Sequence, residues 1–105
     1  MLKKINRISS RKEFAEVKEK GEMMATSLFS IIWIKKDGEK AFGAIISKKI
    51  SKKAVERNQI RRRLMEAVRL NMDIFPEGFR GIFLVKKNIL EKSEMEIEEC
   101  LKKLF

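Results

Sequence analysis

The sequence predicts an α+β fold, in which a small, mostly antiparallel sheet packs with three helices in the order α-β-β-(β)-α-β-α. Two segments carry helix-capping spacings, at Ser10 and Glu13 and again at Ser93 and Glu96. Segments rich in Ile, Val and Phe, separated by turn residues, are typical of strands. With 105 residues, 44% of them hydrophobic, we expect one domain, residues 1–105, around a modest core.

The first helix is predicted over SRKEFAEVKEKG, from Ser10 to Gly21. Ser10 and Glu13 have the spacing of a capping box, which satisfies backbone N–H groups of the first turn. Gly21 is the residue type that ends helices in the left-handed conformation. Phe14 and Val17 are expected on the buried side of this helix.

Two strands are predicted next. Residues 27–34, SLFSIIWI, place apolar side chains on both alternating faces, which indicates that each face of this strand is covered. Asp37 and Gly38 mark a turn. Residues 41–47, AFGAIIS, are therefore expected to return as the antiparallel partner of the first strand.

The second half of the chain predicts a helix from Ser51 to Asn71, a turn at residues 76–79 and a strand from Gly81 to Lys87. A last helix follows the capping spacing of Ser93 and Glu96. Its apolar residues recur at i, i+3, i+4 and i+7; they are Ile97, Cys100, Leu101 and Leu104. The phenylalanines expected in the core are Phe29, Phe42, Phe75, Phe79, Phe83 and Phe105.

The charge of the chain indicates a polyanionic partner. Lys and Arg number 25 and Asp and Glu 15, a net charge of +10 that suits nucleic acid or an anionic membrane surface. Residues 47–69 hold nine cations against two carboxylates, and residues 1–20 hold seven against three. Residues 91–103 hold five carboxylates against three cations. Such segregation indicates an organised binding face.

Several classes of protein are excluded by composition. The single Cys100 cannot form a disulfide within the chain, and without His there is no Cys-His dyad or thiol–imidazole metal site. No apolar run approaches the roughly 20 residues of a membrane span. The start of the chain, MLKKINR, lacks the apolar segment of a signal peptide. We therefore expect a soluble, cytoplasmic protein.

The segment SKKISKKAVERNQIRRRLMEAVR, residues 47–69, contains the candidate binding surface. Residues of a helix turn by about 100° each, so they can be sorted onto faces. One arc is apolar and suited to packing on the sheet; it holds Ile60, Leu64, Ala67 and Val68. A second stripe lies on roughly the opposite side; it holds Asn58, Arg62, Met65 and Arg69.

Further cations surround this stripe. Arg57 and Arg61 flank the apolar arc, where their stems can pack while the guanidiniums reach solvent. Four lysines crowd the helix entrance, where the dipole and free N–H groups favour an anion; they are Lys48, Lys49, Lys52 and Lys53. Solvated helix faces usually mix charges of both signs. Because the planar guanidinium suits phosphate oxygens, the pattern favours polyanion binding over a merely solvated face.

These residues resemble a known family. The segment is similar to the signature helix of the bacterial ribonuclease P protein subunit, which has an Arg-Asn-Arg core preceded by a Lys-Lys pair and followed by further bases. Here Arg57 and Asn58 are kept, and Gln59 replaces the third residue of the core. NRISSRKEFAEVKEKG, residues 6–21, resembles the family's opening helix, and the order of elements agrees along nearly the whole chain.

The resemblance implies that this chain is the protein subunit of an endoribonuclease. The protein subunit itself would have no catalytic residues. In this family a large RNA carries out catalysis with bound magnesium and removes the 5′ leader of precursor tRNA. The implied partners are ribonuclease P RNA and precursor tRNA, with no membrane and no obligate protein partner. The protein alone is expected to bind no cofactor. The implied fold includes a left-handed β-α-β crossover, which contradicts the usual right-handed rule.

The resemblance also implies two sets of contact residues. Those expected to contact the catalytic RNA are Lys48, Lys49, Lys52, Lys53, Arg57, Asn58, Arg61, Arg62 and Arg69. A cleft between the first helix and the sheet would take the single-stranded leader, through Arg11, Phe14, Lys18 and Trp33. Phe14 is either a stacking platform for unpaired bases or a core residue, and so is Trp33. The family often has an aromatic residue where this chain has Lys18, so leader binding would depend more on charge here.

Other functions remain open at this point. A structural RNA-binding module, such as a ribosomal protein, explains the charge but not the joint occurrence of the opening-helix pattern and the Arg-Asn helix. A membrane-surface protein would need a large free apolar helix face, whereas this helix offers residues sized for packing on a sheet. An autonomous nuclease is disfavoured because the acidic residues 94–99 lie at the negative end of the chain, away from the cations.

Overall fold

The computed structural model describes residues 2–104, and the α+β fold class is confirmed. Its three helices are α1 (Arg11–Lys20), α2 (Ala54–Leu70) and α3 (Glu94–Lys102). Its four strands are β1 (Glu22–Ala25), β2 (Phe29–Lys35), β3 (Ala41–Ile45) and β4 (Phe79–Val85). Short 3-10 turns lie at Lys4–Asn6, Met72–Ile74 and Lys87–Glu91. The predicted order places an optional third strand after the two assigned ones, but the additional strand, β1, lies before them and follows α1 directly.

The strands form one mixed sheet in the order β1-β2-β4-β3. β2 pairs antiparallel with β1 and with β4, whereas β3 pairs parallel with β4. The predicted hairpin of residues 27–34 with residues 41–47 is therefore wrong, because β4 lies between the two strands. The chain passes from β3 to β4 through α2, so these elements form a parallel β-α-β unit. The left-handed sense of this crossover stays a prediction.

Each face of the sheet has its own apolar cluster, as the two-sided pattern of β2 predicts. Phe29 and Ile31 point to the face covered by α2 and α3, and Ile32 points to the face covered by α1. Five of the six phenylalanines expected in the core are buried, namely Phe29, Phe42, Phe75, Phe79 and Phe83. Phe105 lies outside the described residues.

Both capping boxes form at their N-terminal residue. The Ser10 hydroxyl accepts a hydrogen bond from the Glu13 N–H at 3.1 Å, and the Ser93 hydroxyl accepts one from the Glu96 N–H at 3.3 Å. These bonds satisfy donors that a helix leaves open in its first turn. Local spacing in the sequence therefore predicts the start of α1 and of α3 to the residue.

Gly21 ends α1, but not in the predicted left-handed conformation. Its φ is −77° and its ψ is 155°, which is extended backbone that any residue adopts. A Cβ at this position would lie 2.4 Å from the Val17 carbonyl oxygen and 2.4 Å from Ile32 Cγ2. Glycine is therefore required because β2 approaches the end of the helix closely, a contact that local sequence does not reveal.

The predicted bounds of α2 and β4 are shifted. α2 begins at Ala54, three residues after the predicted start at Ser51, and ends at Leu70. The Ser51 hydroxyl accepts from the Lys53 N–H at 3.2 Å, which holds the residues before Ala54 in a turn. β4 begins at Phe79 and not at Gly81, because pairing with Lys35 of β2 extends it toward the preceding turn.

Candidate nucleic-acid interface

The two faces of α2 are divided as the sequence predicts. Its apolar arc is at most 2% exposed and packs in the main core; it consists of Ile60, Leu64, Ala67 and Val68. Asn58, Arg61 and Arg62 are exposed on the other side, and Met65 between them is half-buried. The helix thus seals the core with one side and presents amide and guanidinium groups to solvent with the other.

The arginines of α2 differ in their protein partners. Arg57 Nη1 donates to the Ser51 carbonyl oxygen at 2.9 Å, and Arg61 Nη1 donates to Asn58 Oδ1 at 3.3 Å. Arg62 makes no side-chain hydrogen bond or ion pair with any residue from 2 to 104. Its guanidinium can therefore bind an external phosphate without giving up an internal contact.

Arg69, at the far end of the stripe, is ion-paired. Its guanidinium donates to the Glu66 carboxylate one helical turn earlier. This hydrogen bond is the largest of the interactions that lower the pKa of Glu66 to about 2, and it raises the pKa of Arg69. Arg69 therefore faces solvent with part of its charge neutralised, unlike Arg62.

The entrance of α2 is the most cationic part of this surface. Four exposed lysines precede the helix or begin it; they are Lys48, Lys49, Lys52 and Lys53. None of them forms an ion pair with a carboxylate of the described chain. The residue at the N-cap, Lys53, provides no side-chain acceptor, so the N–H groups of the first turn have no side-chain partner there. The helix dipole and these lysines both favour an anion at this end.

A groove beside α2 contains residues that the sequence did not assign to the site. It has a volume of about 270 Å³ and is lined by Leu2, Arg7, Asn58, Arg61, Arg62 and Met65. Leu2 and Arg7 come from the N-terminal segment, residues 2–10 before α1, which passes alongside the helix. No pattern in the sequence places that segment there, because the contact is between residues more than 50 positions apart.

A second candidate surface lies where α1 packs on the sheet. Val17 is buried against Ile32 and Ile82, whereas Phe14 is only half-buried. Gly43 of β3 lies directly under the Phe14 ring, since a Cβ there would be 2.8 Å from Phe14 Cζ. The tip of the ring thus contacts the sheet while the remainder stays accessible. Arg11 and Lys18 are exposed on the same helix.

Two ion pairs fix α1 across the strands. Arg80 of β4 donates to the Glu13 carboxylate, and it also donates to the Glu39 carbonyl oxygen at 3.2 Å. Lys36 donates to Glu16 at 2.7 Å, and this hydrogen bond lowers the pKa of the Glu16 carboxyl. These two ion pairs therefore hold α1, and with it Phe14, against the sheet.

Trp33 lies on the opposite face of the sheet from Phe14. Its ring stacks on Phe79 with centroids 5.2 Å apart and an interplanar angle of 15°. Its indole Nε1 is buried with no acceptor among the residues that the structure describes. The structure therefore does not place Trp33 on the side of the sheet that α1 covers, and its position favours the packing role over the platform role.

The described part of the chain contains neither a membrane-spanning helix nor a metal-binding cluster of side chains. No helix within residues 2–104 is long and apolar enough to span a membrane. The same residues contain no group of three or more Cys, Asp or Glu side chains arranged to hold a metal ion.

Comparisons with known proteins identify the family. The family model described as Ribonuclease P matches residues 2–105. Two proteins named ribonuclease P protein component, from Pelotomaculum thermopropionicum and Alkaliphilus oremlandii, are 30% and 32% identical to this chain. These matches cover 99% and 95% of the chain, and 93% and 88% of the two relatives.

Solved structures share the fold. The RNase P protein of Thermotoga maritima superimposes with a TM-score of 0.84 at 22% identity, over 93% of each chain. The RNase P protein of Staphylococcus aureus gives 0.82 at 22% identity, over 95% of this chain and 92% of that one. With the family model matching nearly every residue, and relatives at 30% identity over almost the full length, this chain belongs to the ribonuclease P protein family.

Proposed function

We propose that this chain is the protein component of ribonuclease P and that it binds the ribonuclease P RNA through the exposed side of α2. The observation that carries the proposal is the arrangement of Asn58, Arg61 and Arg62 in solvent, on a helix whose other side is fully buried. Guanidiniums in such positions form paired hydrogen bonds to phosphate oxygens.

The proposed contacts along α2 differ in kind. The lysines at its entrance, Lys48, Lys49, Lys52 and Lys53, would act as point charges on phosphates close to the helix N-terminus. Arg61 and Arg62 would bind phosphates with their planar forks, and Asn58 offers both a donor and an acceptor to a base or a ribose. Arg57 and Arg69 would contribute less, because Arg57 is bonded to a backbone carbonyl at 2.9 Å and Arg69 to a carboxylate, whereas Arg61 has only a longer bond, 3.3 Å, to the exposed Asn58 amide.

The surface of α1 around Phe14 is the proposed site of the 5′ leader of precursor tRNA. The accessible part of the Phe14 ring offers a surface on which an unpaired base can stack, and stacking tolerates any base. Arg11 and Lys18 would hold the phosphates of the same strand. Trp33 is not part of this proposal, because it lies on the other face of the sheet.

In this proposal the RNA, with its magnesium ions, carries out the cleavage. The chain contributes electrostatics: its cations reduce the repulsion between the leader strand and the catalytic RNA, two polyanions that must come together. Binding of substrate is then improved, and less magnesium is needed to screen the two RNAs from each other, without a catalytic side chain from the protein.

Reconstitution tests the proposal. The full chain, added to ribonuclease P RNA from the same organism at low magnesium, should increase 5′ processing of precursor tRNA, and the chain alone should cut nothing. A control reaction with mature tRNA should show no cleavage in either case. Cleavage by the protein without RNA would contradict RNA catalysis.

The same assay distinguishes the proposed function from the alternative, a structural RNA-binding module. A structural RNA-binding module of the ribosomal type would bind the RNA in a salt-dependent way but leave processing at the level of RNA alone. Binding without stimulation at any magnesium concentration would therefore favour that alternative.

A further inference from the structure

The groove between the N-terminal segment and α2 combines an apolar floor with a cationic rim. The floor consists of Leu2, which is 4% exposed, and the half-buried Met65. The rim consists of Arg7, Arg61 and Arg62, all exposed. Asn58 completes the lining of this space of about 270 Å³. Three guanidiniums around an apolar floor suit an anion that also carries an apolar surface.

The N-terminal segment is anchored in the fold, so the groove is a built feature. The side chain of Asn6 is buried, and its Nδ2 donates to the Lys40 carbonyl oxygen at 2.8 Å. Arg7 forms a parallel bridge with Phe42 of β3, and the Ile8 N–H donates to the Phe42 carbonyl oxygen at 2.9 Å. These bonds extend the edge of the sheet and fix the backbone from which Arg7 reaches the groove.

The size of the groove limits its occupant. Pockets for drug-sized ligands begin at about 300 Å³, so the groove holds a single small group and not a helical stem. An RNA strand offers one group of the required kind, an unstacked nucleotide with a flat, weakly polar base and an attached phosphate. The base would lie on Leu2 and Met65, and its phosphates would meet the guanidiniums of the rim.

We propose that this groove binds one unpaired nucleotide of the ribonuclease P RNA, with Leu2 and Met65 contacting the base and Arg7 contacting its phosphate. The proposal rests on the proposed function, and it adds a nucleotide-binding site and two contact residues from outside α2. It also gives Met65, an apolar residue within a cationic stripe, a role in RNA binding.

Three variants of the full chain test the proposal through their affinity for ribonuclease P RNA at several salt concentrations. Arg7→Ala should weaken binding and reduce the salt slope by about 1, the effect of one lost phosphate contact. Met65→Ala should weaken binding roughly threefold to tenfold with an unchanged slope, because an apolar contact releases no counterions. Met65→Leu, of similar volume, should bind as the unmodified protein does.

Controls separate local from global effects. Met95→Ala removes a methionine that is 71% exposed on α3 and should leave affinity unchanged. Thermal unfolding of each variant reports any loss of fold, since Met65 also packs on the core. In chemical probing, one unpaired base of the RNA should be protected by the unmodified protein and by Met65→Leu, and exposed again with Met65→Ala.

The outcomes are distinct. If the unmodified protein shows salt-dependent binding but Met65→Ala binds as Met95→Ala does, the groove takes no base and the inference is wrong. A protected base in the precursor leader instead of the ribonuclease P RNA would also overturn it. If the unmodified protein does not bind the RNA at all, the proposed function fails, and this inference fails with it.

Discussion

The arginines of α2 are the same residue type in the same helix, but their side chains contact different partners. Arg57 is tied to the turn before α2, Arg63 Nη1 donates to the Lys92 carbonyl oxygen at 3.4 Å, and Arg69 pairs with Glu66. Arg62 has no such partner in the described chain. Helical spacing predicted which arginines reach solvent, but it could not predict their partners, because these depend on side-chain rotamers and, for Arg63, on a residue 29 positions further along the chain.

Substitution of Arg62 should therefore separate RNA binding from folding. Arg62→Ala should weaken binding to ribonuclease P RNA by about 1–3 kcal/mol, roughly 5- to 150-fold, because one charge-assisted contact is lost. The thermal unfolding temperature should stay nearly unchanged, since surface substitutions without partners have small effects. Filter binding and a thermal melt measure the two quantities.

Lys102→Ala is the matched control, because it also removes one exposed cation but from α3. It should leave the affinity near that of the unmodified protein. Equal weakening by both substitutions would mean that total charge, and not the surface of α2, determines binding.

Phe14 and Gly43 form a steric pair that the sequence did not predict. A Cβ at position 43 would lie 2.8 Å from Phe14 Cζ, which is closer than such contacts allow. Gly43→Ala should therefore destabilise the fold by about 1–3 kcal/mol, the usual cost of overpacking. Denaturant unfolding measures this cost.

A double-mutant cycle tests the cause of that effect. In the Phe14→Ala background the ring is absent, so Gly43→Ala should cost little or nothing. The same cost in both backgrounds would show that the steric contact is not with Phe14.

At the scale of elements, features that depend on neighbouring residues were predictable and features that depend on distant ones were not. The capping spacings predicted the starts of α1 and α3, and 3.6-residue periodicity predicted the buried arc of α2. The partner of β3 was predicted wrongly, because the turn at Asp37 and Gly38 indicates a reversal but not which strand becomes the neighbour. β4, more than 30 residues further along the chain, takes that place.

The cap of α1 makes a measurable contribution to stability. Ser10→Ala removes the acceptor for the Glu13 N–H and should lower the free energy of unfolding by about 1 kcal/mol. Urea unfolding measures the change.

Ser9→Ala is the matched control, because Ser9 is the exposed preceding residue and lies outside the cap. Its effect should stay within about 0.5 kcal/mol. If both substitutions cost the same, the Ser10 hydroxyl does not stabilise α1.

At the scale of the whole molecule, the fold places the cations and the acidic residues, which are separated along the sequence, on different surfaces. The exposed side of α2 and the N-terminal segment bring their cations together around one groove. α3 carries most of the acidic residues of the chain end, and it packs against α2 through Ile97 and Leu101. One of its carboxylates, Glu98, accepts a hydrogen bond from Asn71 at the end of α2, at 2.7 Å. Charge counts predicted a basic and an acidic region. Only the fold shows that these regions lie on two helices, α2 and α3, that pack against each other.

This arrangement predicts a steep dependence of RNA binding on salt. If six to eight phosphates are neutralised, log K against log salt concentration should have a slope of roughly −4 to −7, because each neutralised phosphate releases condensed counterions. Replacing both Lys48 and Lys49 by Ala should make the slope shallower by about 2. Replacing Lys102 and Lys103 by Ala removes the same charge from the end of α3, away from the entrance of α2, and should leave the slope unchanged. A flat dependence for the unmodified protein would contradict an electrostatic interface, and equal changes in both double variants would contradict its location at the entrance of α2.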